Sequence, residues 1–470
     1  MVRGGMAFSC TLSSFGRIAL PLFPLLVGLA LAACGGEEAG GSGGSGAAST
    51  TSSSTGPGSG GAGQGGDGAG GNGQGGDGAG GQGGQGGQAC QGGGTVALTL
   101  DSILAALRAD RDGTLLTLSR EAGFPVQVPE GYLVINTDPS LTHAAGDHDN
   151  WMGNLPLTAD QGFSWAIIEG STPGDRYKFT NLDDRWFADP WARSYTVDNN
   201  GEISLIVPTA PHLDRYRSVG DAAMPGRELR VWVPEAPVTH VLYAHDGQNL
   251  FFEGGAFGSW HLEEAAPSGM LIVGIDNTDN RLAEYTHVPD HVLNMDIVAE
   301  GDAYADFLQE TVRPLVQSCY GEPGPVGVMG SSLGGLISLH IGDRYPGAYD
   351  FVGSFSGTVG WGSIGDGIHN ETMIERYAAH TASVASVVYL DAGGGPGSGC
   401  TDSDGDGVDD DTANSEDNYC ENVQMRALLL GSGVYVDDQS FFFVWDQGAQ
   451  HSEAAWAARA AYPLGLFADL

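Results

Sequence analysis

Gly330, Ser331, Ser332, Leu333 and Gly334 fill the frame G-x-S-x-G. A serine hydroxyl is a weak nucleophile until a neighbouring base takes its proton. The frame alone decides nothing in a chain with 77 glycines, where Gly40, Gly41, Ser42, Gly43 and Gly44 also satisfy it. The flanks separate the two. VGVM (326–329) reads as a short apolar strand, and LGGLISLH after Ser332 reads as a helix. Strand, tight turn and helix is the setting that exposes a nucleophile and requires small neighbours. It also aims a helix N-terminus at the site, where negative charge is favoured. Ser42 has neither strand nor helix. Ser332 is therefore the expected nucleophile.

Among twelve histidines, His451 is the expected base. It follows the strand-like FFFVW and the short loop DQGAQ, and loops at the carboxyl ends of strands are where α/β folds present reactive groups. His340 stands eight residues down the helix from Ser332, about 12 Å away. His245 is a minor alternative beside the oxyanion segment. An acid between Ser332 and His451 in sequence would fix the histidine tautomer. Asp391, Glu416 and Asp417 qualify, and Asp417 is favoured because it lies where a lengthened loop rejoins its helix. Donors to a tetrahedral oxyanion are expected from the Leu333 N–H and from Gly247 or Gln248, in HDGQN after another strand.

These residues need a frame. Over 213–470, the strand-like segments RELRVWV, VTHVLYA, MLIVGI, VGVM, FVGSF, VASVVYL and FFFVW alternate with helical patterns such as AYADFLQETVRPLVQ. That rhythm predicts an α/β fold whose mostly parallel sheet is covered on both faces. Ahead of it, over 94–212, a short helical pattern (SILAALRAD) is followed by YLVINT, FSWAIIEG, DRYKFTN, SYTVDN and EISLIVP, closely spaced strands of a small all-β sandwich.

Residues 1–33 read as an export signal, and LAAC places Cys34 at a lipobox, the lipidation site of bacterial lipoproteins. Residues 34–93 are glycine-rich, with GQGGDGAGG at 63 and again at 73, and read as a disordered tether. The expected location is exported and lipid-anchored to a bacterial membrane. With 58 acidic against 19 basic side chains, a formal charge of -39, the chain should repel nucleic acid. Cys400 and Cys420 flank one loop and are expected to pair, leaving Cys90 for Cys319.

GDHDNW (146–151), DRYKF and RWFADPWA resemble the immunoglobulin-like module of glycogen-binding type. Trp151, Trp186 and Trp191 are read there as packing side chains, with a platform for sugar rings as the competing reading. LYAHDGQNLF, GIDNTDNRLAEYT and MGSSLGGLISLHIGDRYPGAYDFVGSFSG together resemble the esterase D and enterochelin esterase group, including feruloyl-type esterases. The resemblance implies an α/β-hydrolase fold and carboxylic ester hydrolysis. It makes Ser332 the nucleophile, His451 the base, the acid a residue after VVYLDAG, and Arg281 and Glu284 a structural ion pair. The implied substrate is a small-molecule or polysaccharide-linked ester, acyl or feruloyl, or a siderophore trilactone. An inactive glycan-binding protein and an acyltransferase are the alternatives. No cofactor is expected for catalysis. In the insert DSDGDGVDDD, Asp402, Asp404 and Asp406 are spaced like the first ligands of a calcium loop, and Asp410 could add an oxygen, so a structural calcium is expected.

Overall fold

The computed structural model describes residues 98–252, 257–410 and 417–470. The expected signal peptide, the tether, Cys34, Cys90 and Glu416 lie outside the described residues.

Eight strands carry the candidate site: β1 (His212–Val219), β2 (Arg227–Val233), β3 (His240–His245), β4 (Met270–Ile275), β5 (Val326–Ser331), β6 (Phe351–Phe355), β7 (Val387–Ala392) and β8 (Phe441–Trp445). They lie in the order β8-β7-β6-β5-β3-β4-β2-β1. From β4 to β8 all neighbours are parallel, while β2 runs antiparallel to both β4 and β1. β4, β5, β6 and β7 are buried at every position. This is why they read as unbroken apolar runs rather than alternating ones. One face packs Tyr285, Tyr304, Phe307, Leu336 and Ile337 against the sheet. The other face packs Trp260, Trp456, Leu464 and Phe467.

Three helices frame the site. α1 (Leu333–Arg344) leaves the end of β5, α2 (Tyr419–Ser432) follows the long loop after β7, and α3 (Glu453–Ala468) closes the fold. The segment read as one helix over 303–317 runs as α-helix Gly301–Phe307, a π turn Leu308–Val312, and α-helix Arg313–Tyr320.

The N-terminal part is less separate than its composition suggests. Its sheet strands Ser194–Asp198, Gly201–Leu205, Arg176–Thr180 and His143–Gly146 continue the large sheet beyond β1, giving 14 strands in all. The anticipated division at 212/213 falls inside β1, whose Leu213 pairs with Tyr195 on one side and Trp232 on the other. A second sheet of four strands, including Gly131–Asn136 and Phe163–Ile168, stands apart. Helix Leu100–Ala109 matches the predicted SILAALRAD. Arg111–Glu121 is a further helix whose apolar residues lack a clear stripe.

Candidate active site

β5 ends in a turn that only small residues permit. Ser332 has φ 56° and ψ −124°, a strained backbone for a residue with a side chain. A Cβ on Gly330 would stand 2.7 Å from the Gly334 carbonyl, so the first glycine of the motif is required by close approach. The Ser332 N–H donates to the Phe355 carbonyl at 2.9 Å, tying the turn to the end of β6. Leu333 and Gly334 open α1, where first-turn N–H groups have no acceptor within the helix. Ser332 is 4% exposed, and its Oγ bonds no group among the described residues.

The loop after β3 lies against this turn. Gly247 packs flat on β4: a Cβ there would meet Gly274 carbon at 2.6 Å and Ile275 nitrogen at 2.7 Å. Asp246, at φ 60°, accepts both arms of Arg281 at 2.8 Å and the Asn277 amide at 2.6 Å. Burial by itself would raise the Asp246 carboxyl, but Arg281 and Asn277 hold it below the usual carboxylate range. A Cβ on Gly334 would be 3.3 Å from Asp246 Oδ2, so loop and elbow touch. On its other side Asn249 donates to Glu453 Oε1 at 3.1 Å, at the start of α3. The Gln248 side chain accepts from the Asn277 N–H at 3.2 Å.

His451 sits between β8 and α3. Its Nδ1 is 2.8 Å from Asp417 Oδ1, and its Nε2 is buried without a partner among the described residues. Its ring stands edge-on to Trp456 at 4.9 Å. An ionised carboxylate can only accept, so the Nδ1 proton goes to Asp417 and the Nε2 lone pair is left open. Asp417 is buried, at φ 65°, with Oδ2 accepting from the Ser356 hydroxyl at 2.6 Å and from the Gly393 N–H. Contacts run from one group to the other: Ser332 to Phe355, the adjacent Ser356 to Asp417, and Asp417 to His451.

The rivals are occupied elsewhere. His245 Nδ1 is 2.9 Å from the Tyr304 hydroxyl, and full burial pushes its pKa down to about 3. His340 reaches Asp302 at 2.9 Å from the far part of α1. Asp391 is bound by Arg459, the Tyr389 hydroxyl and the Ser356 N–H. Arg281 does not pair with Glu284, contrary to expectation. Arg281 grips Asp246, while Glu284 faces inward to Arg227 at 2.9 and 3.0 Å, with both side chains fully buried. Residues three apart on one turn can diverge when each finds a partner across the sheet. The residues that sequence reasoning missed are Ser356, Trp456 and Arg459, which bear on Asp417 from other elements.

Carboxylate oxygens of Asp402, Asp404 and Asp406 lie within 4.8 Å of one another. Asp402 also accepts backbone N–H groups of Gly405, Asp406 and Gly407. Three carboxylates on a tight loop form a hard-oxygen donor set of the kind calcium takes. Asp410 turns instead to Ser403, at 2.8 and 2.6 Å. The disulfide Cys400–Cys420 is present, and Cys319 is also disulfide-bonded.

Away from the site, Trp151, Arg176, Lys178, Trp186, Asp198, Asn200 and Ile203 line a cleft of about 520 Å³. Trp151 and Trp186 have ring centroids 6.5 Å apart, and Trp186 is 39% exposed. Trp191 differs: it packs beside the N-terminal helices, under Arg217. The packing reading fits Trp191 and does not describe Trp186.

A parallel sheet in this strand order, with a strained serine after β5 and a histidine after β8, is the α/β-hydrolase architecture. Residues 227–461, half of the chain, match the family described as putative esterase, and the chain belongs to that family. An uncharacterized protein, YbbA, of Bacillus subtilis is 31% identical over 156 residues, covering 31% of this chain. The chain spans 60% of that relative's length. Similar solved structures include an IroE-like serine hydrolase from Shewanella oneidensis, 16% identical, TM-score 0.41, covering 55% of this chain and 80% of that one. They also include an enterochelin esterase from Shigella flexneri, 16% identical, TM-score 0.38, covering 71% of this chain and 91% of that one.

Proposed function

We propose that this chain is a serine carboxylic-ester hydrolase. Ser332 Oγ attacks the ester carbonyl while His451 Nε2 takes its proton, and Asp417 stabilises the resulting imidazolium. The tetrahedral oxyanion is received by the Leu333 N–H and by the N–H of Gly247 or Gln248. Collapse expels the alcohol, protonated by His451, and leaves an acyl-enzyme. Water activated by the same imidazole then releases the acid. The observation that carries this reading is the Asp417–His451 bond with Nε2 left open, in the same contact network as the strained Ser332. Ser332→Ala should abolish p-nitrophenyl acetate hydrolysis with an unchanged circular dichroism spectrum. Retained turnover in that variant would end the proposal.

The ester is one carried on a polysaccharide, acyl or feruloyl, or a siderophore trilactone. The Trp151–Trp186 cleft favours the polysaccharide, because exposed indole faces stack on apolar sugar faces while Lys178, Asp198 and Asn200 offer polar partners for hydroxyls. Comparative turnover of feruloyl, acetyl-xylan and catecholate-trilactone esters separates these classes. An acyltransferase would show transfer to an added alcohol acceptor, and an inactive glycan binder would show no turnover. The lipobox at Cys34 and the tether behind it support an exported, lipid-anchored enzyme. Among the described residues no helix is long and apolar enough to cross a membrane. A calcium ion held by Asp402, Asp404 and Asp406 would brace the loop that delivers Asp417 without touching substrate.

A further inference from the structure

Arg459 is 7% exposed, one turn beyond Trp456 on α3. Its Nε and Nη2 donate to Asp391 at 3.1 and 3.0 Å. The same Nη2 donates to Ser356 Oγ at 2.9 Å and stands 3.5 Å from Asp417 Oδ2. Ser356 Oγ also accepts from the Trp456 indole N–H at 3.1 Å. A hydroxyl has two lone pairs and one proton. With both lone pairs taken by Arg459 and Trp456, the Ser356 proton can go only to Asp417 Oδ2. That oxygen also accepts from the Gly393 N–H, so Oδ1 alone is left for His451.

We propose that Arg459 is a positioning residue for ester hydrolysis, acting through Ser356 and Asp417 to aim His451. The charges agree with this role. Asp391, Asp417 and Arg459 sum to one negative charge beside a neutral imidazole, and the cluster becomes neutral when His451 takes the serine proton. Without Arg459, two buried carboxylates would face each other with no fixed cation, and the Ser356 hydroxyl would be free to turn away. The inference deepens the triad reading above and rests on it.

The test compares Arg459→Lys, Arg459→Met and the double variant Arg459→Met with Asp391→Asn. The double variant removes both members of the Arg459–Asp391 ion pair and so keeps the cluster's net charge unchanged, whereas the single Met variant adds one buried negative charge and risks misfolding. Active sites are counted by fluorophosphonate labelling, and kcat per labelled site and KM are measured with p-nitrophenyl acetate. Arg459→Met and the double variant should each lose about 10- to 100-fold in kcat per labelled site, the scale seen by analogy when the hydrogen-bond partners behind metal-ligating side chains are removed. KM should stay within about threefold, and Arg459→Lys should fall between them and the unmodified chain. Wild-type kcat per labelled site in the double variant, or a loss only in the number of labelled sites, overturns the inference and makes Arg459 a mere counter-charge for Asp391. Failure of the unmodified chain to label at Ser332 sinks the triad itself, and this inference with it.

Discussion

Ser332 and Asp417 both occupy left-handed backbone, at φ 56° and 65°, but they are held there differently. The Ser332 turn is determined almost within five residues: Gly330 and Gly334 permit it, β5 feeds it and α1 leaves it. The Asp417 corner arrives at the end of a loop of more than twenty residues after β7, cross-linked by Cys400–Cys420. Its carboxylate is then fixed by Ser356 after β6, Gly393 after β7 and Arg459 on α3. Local backbone geometry places Ser332, whereas tertiary contacts place Asp417. Changes to the glycines of the turn should therefore cost folding as well as activity, and changes at the Asp417 carboxylate should cost activity first.

The largest effect that sharpens this contrast is a comparison of two carboxylates. Asp417→Asn should lower kcat by about 10⁴-fold, as expected when the residue fixing a histidine tautomer is lost. Asp391→Asn, read by the same steady-state assay, should stay within about tenfold. Reversed magnitudes would move the acid to the end of β7 and dissolve the comparison. Gly330→Val should next cost several kcal/mol of stability or prevent folding, because its side chain meets the Gly334 backbone, as denaturant melts would show. Cys400→Ser with Cys420→Ser should follow, with about 2–4 kcal/mol lost and a lower kcat, while fluorophosphonate still finds Ser332.

A smaller effect comes from pH. Burial raises the Asp391 carboxyl to about 6, with Arg459 and Tyr389 pulling the other way. Between about pH 4 and 6 the folded chain holds a proton that the unfolded chain releases, so this group's contribution falls as pH rises and is flat above about 6. Denaturant midpoints of the unmodified chain, taken relative to Asp391→Asn, should decline over that window. A rise there would mean that Arg459 dominates. Smallest of all at the active site, Trp186→Ala should leave p-nitrophenyl acetate turnover unchanged while weakening retention on a polysaccharide column.

What the sequence disclosed follows the same division. Strands β2, β4, β6 and β8 match the segments read for them; in the buried parallel strands β4 and β6 the apolar run is itself the signal, while β2 alternates in burial and β8 lies half-buried at the sheet edge. Ser332 was legible from its flanks, and His451 from its place between a strand and a helix. Asp417 could be favoured over Asp391 and Glu416 only by its place at the end of an insert. Its partners Ser356 and Arg459 gave no local sign: one is a serine in a glycine-rich turn, the other an arginine in an alanine-rich helix. The 212/213 division failed to register that β1 pairs on both sides, since sheet continuity is a property of partners and not of composition. Trp186 and Trp191 likewise share a motif but not an environment.

The central claim is that His451 activates Ser332. Mass mapping of a fluorophosphonate adduct tests it most directly. The account predicts one adduct per chain, on the peptide containing Ser332, formed by the unmodified protein and lost or slowed at least about 1000-fold in His451→Ala. An adduct on another serine, or labelling of Ser332 at an undiminished rate without His451, would contradict it.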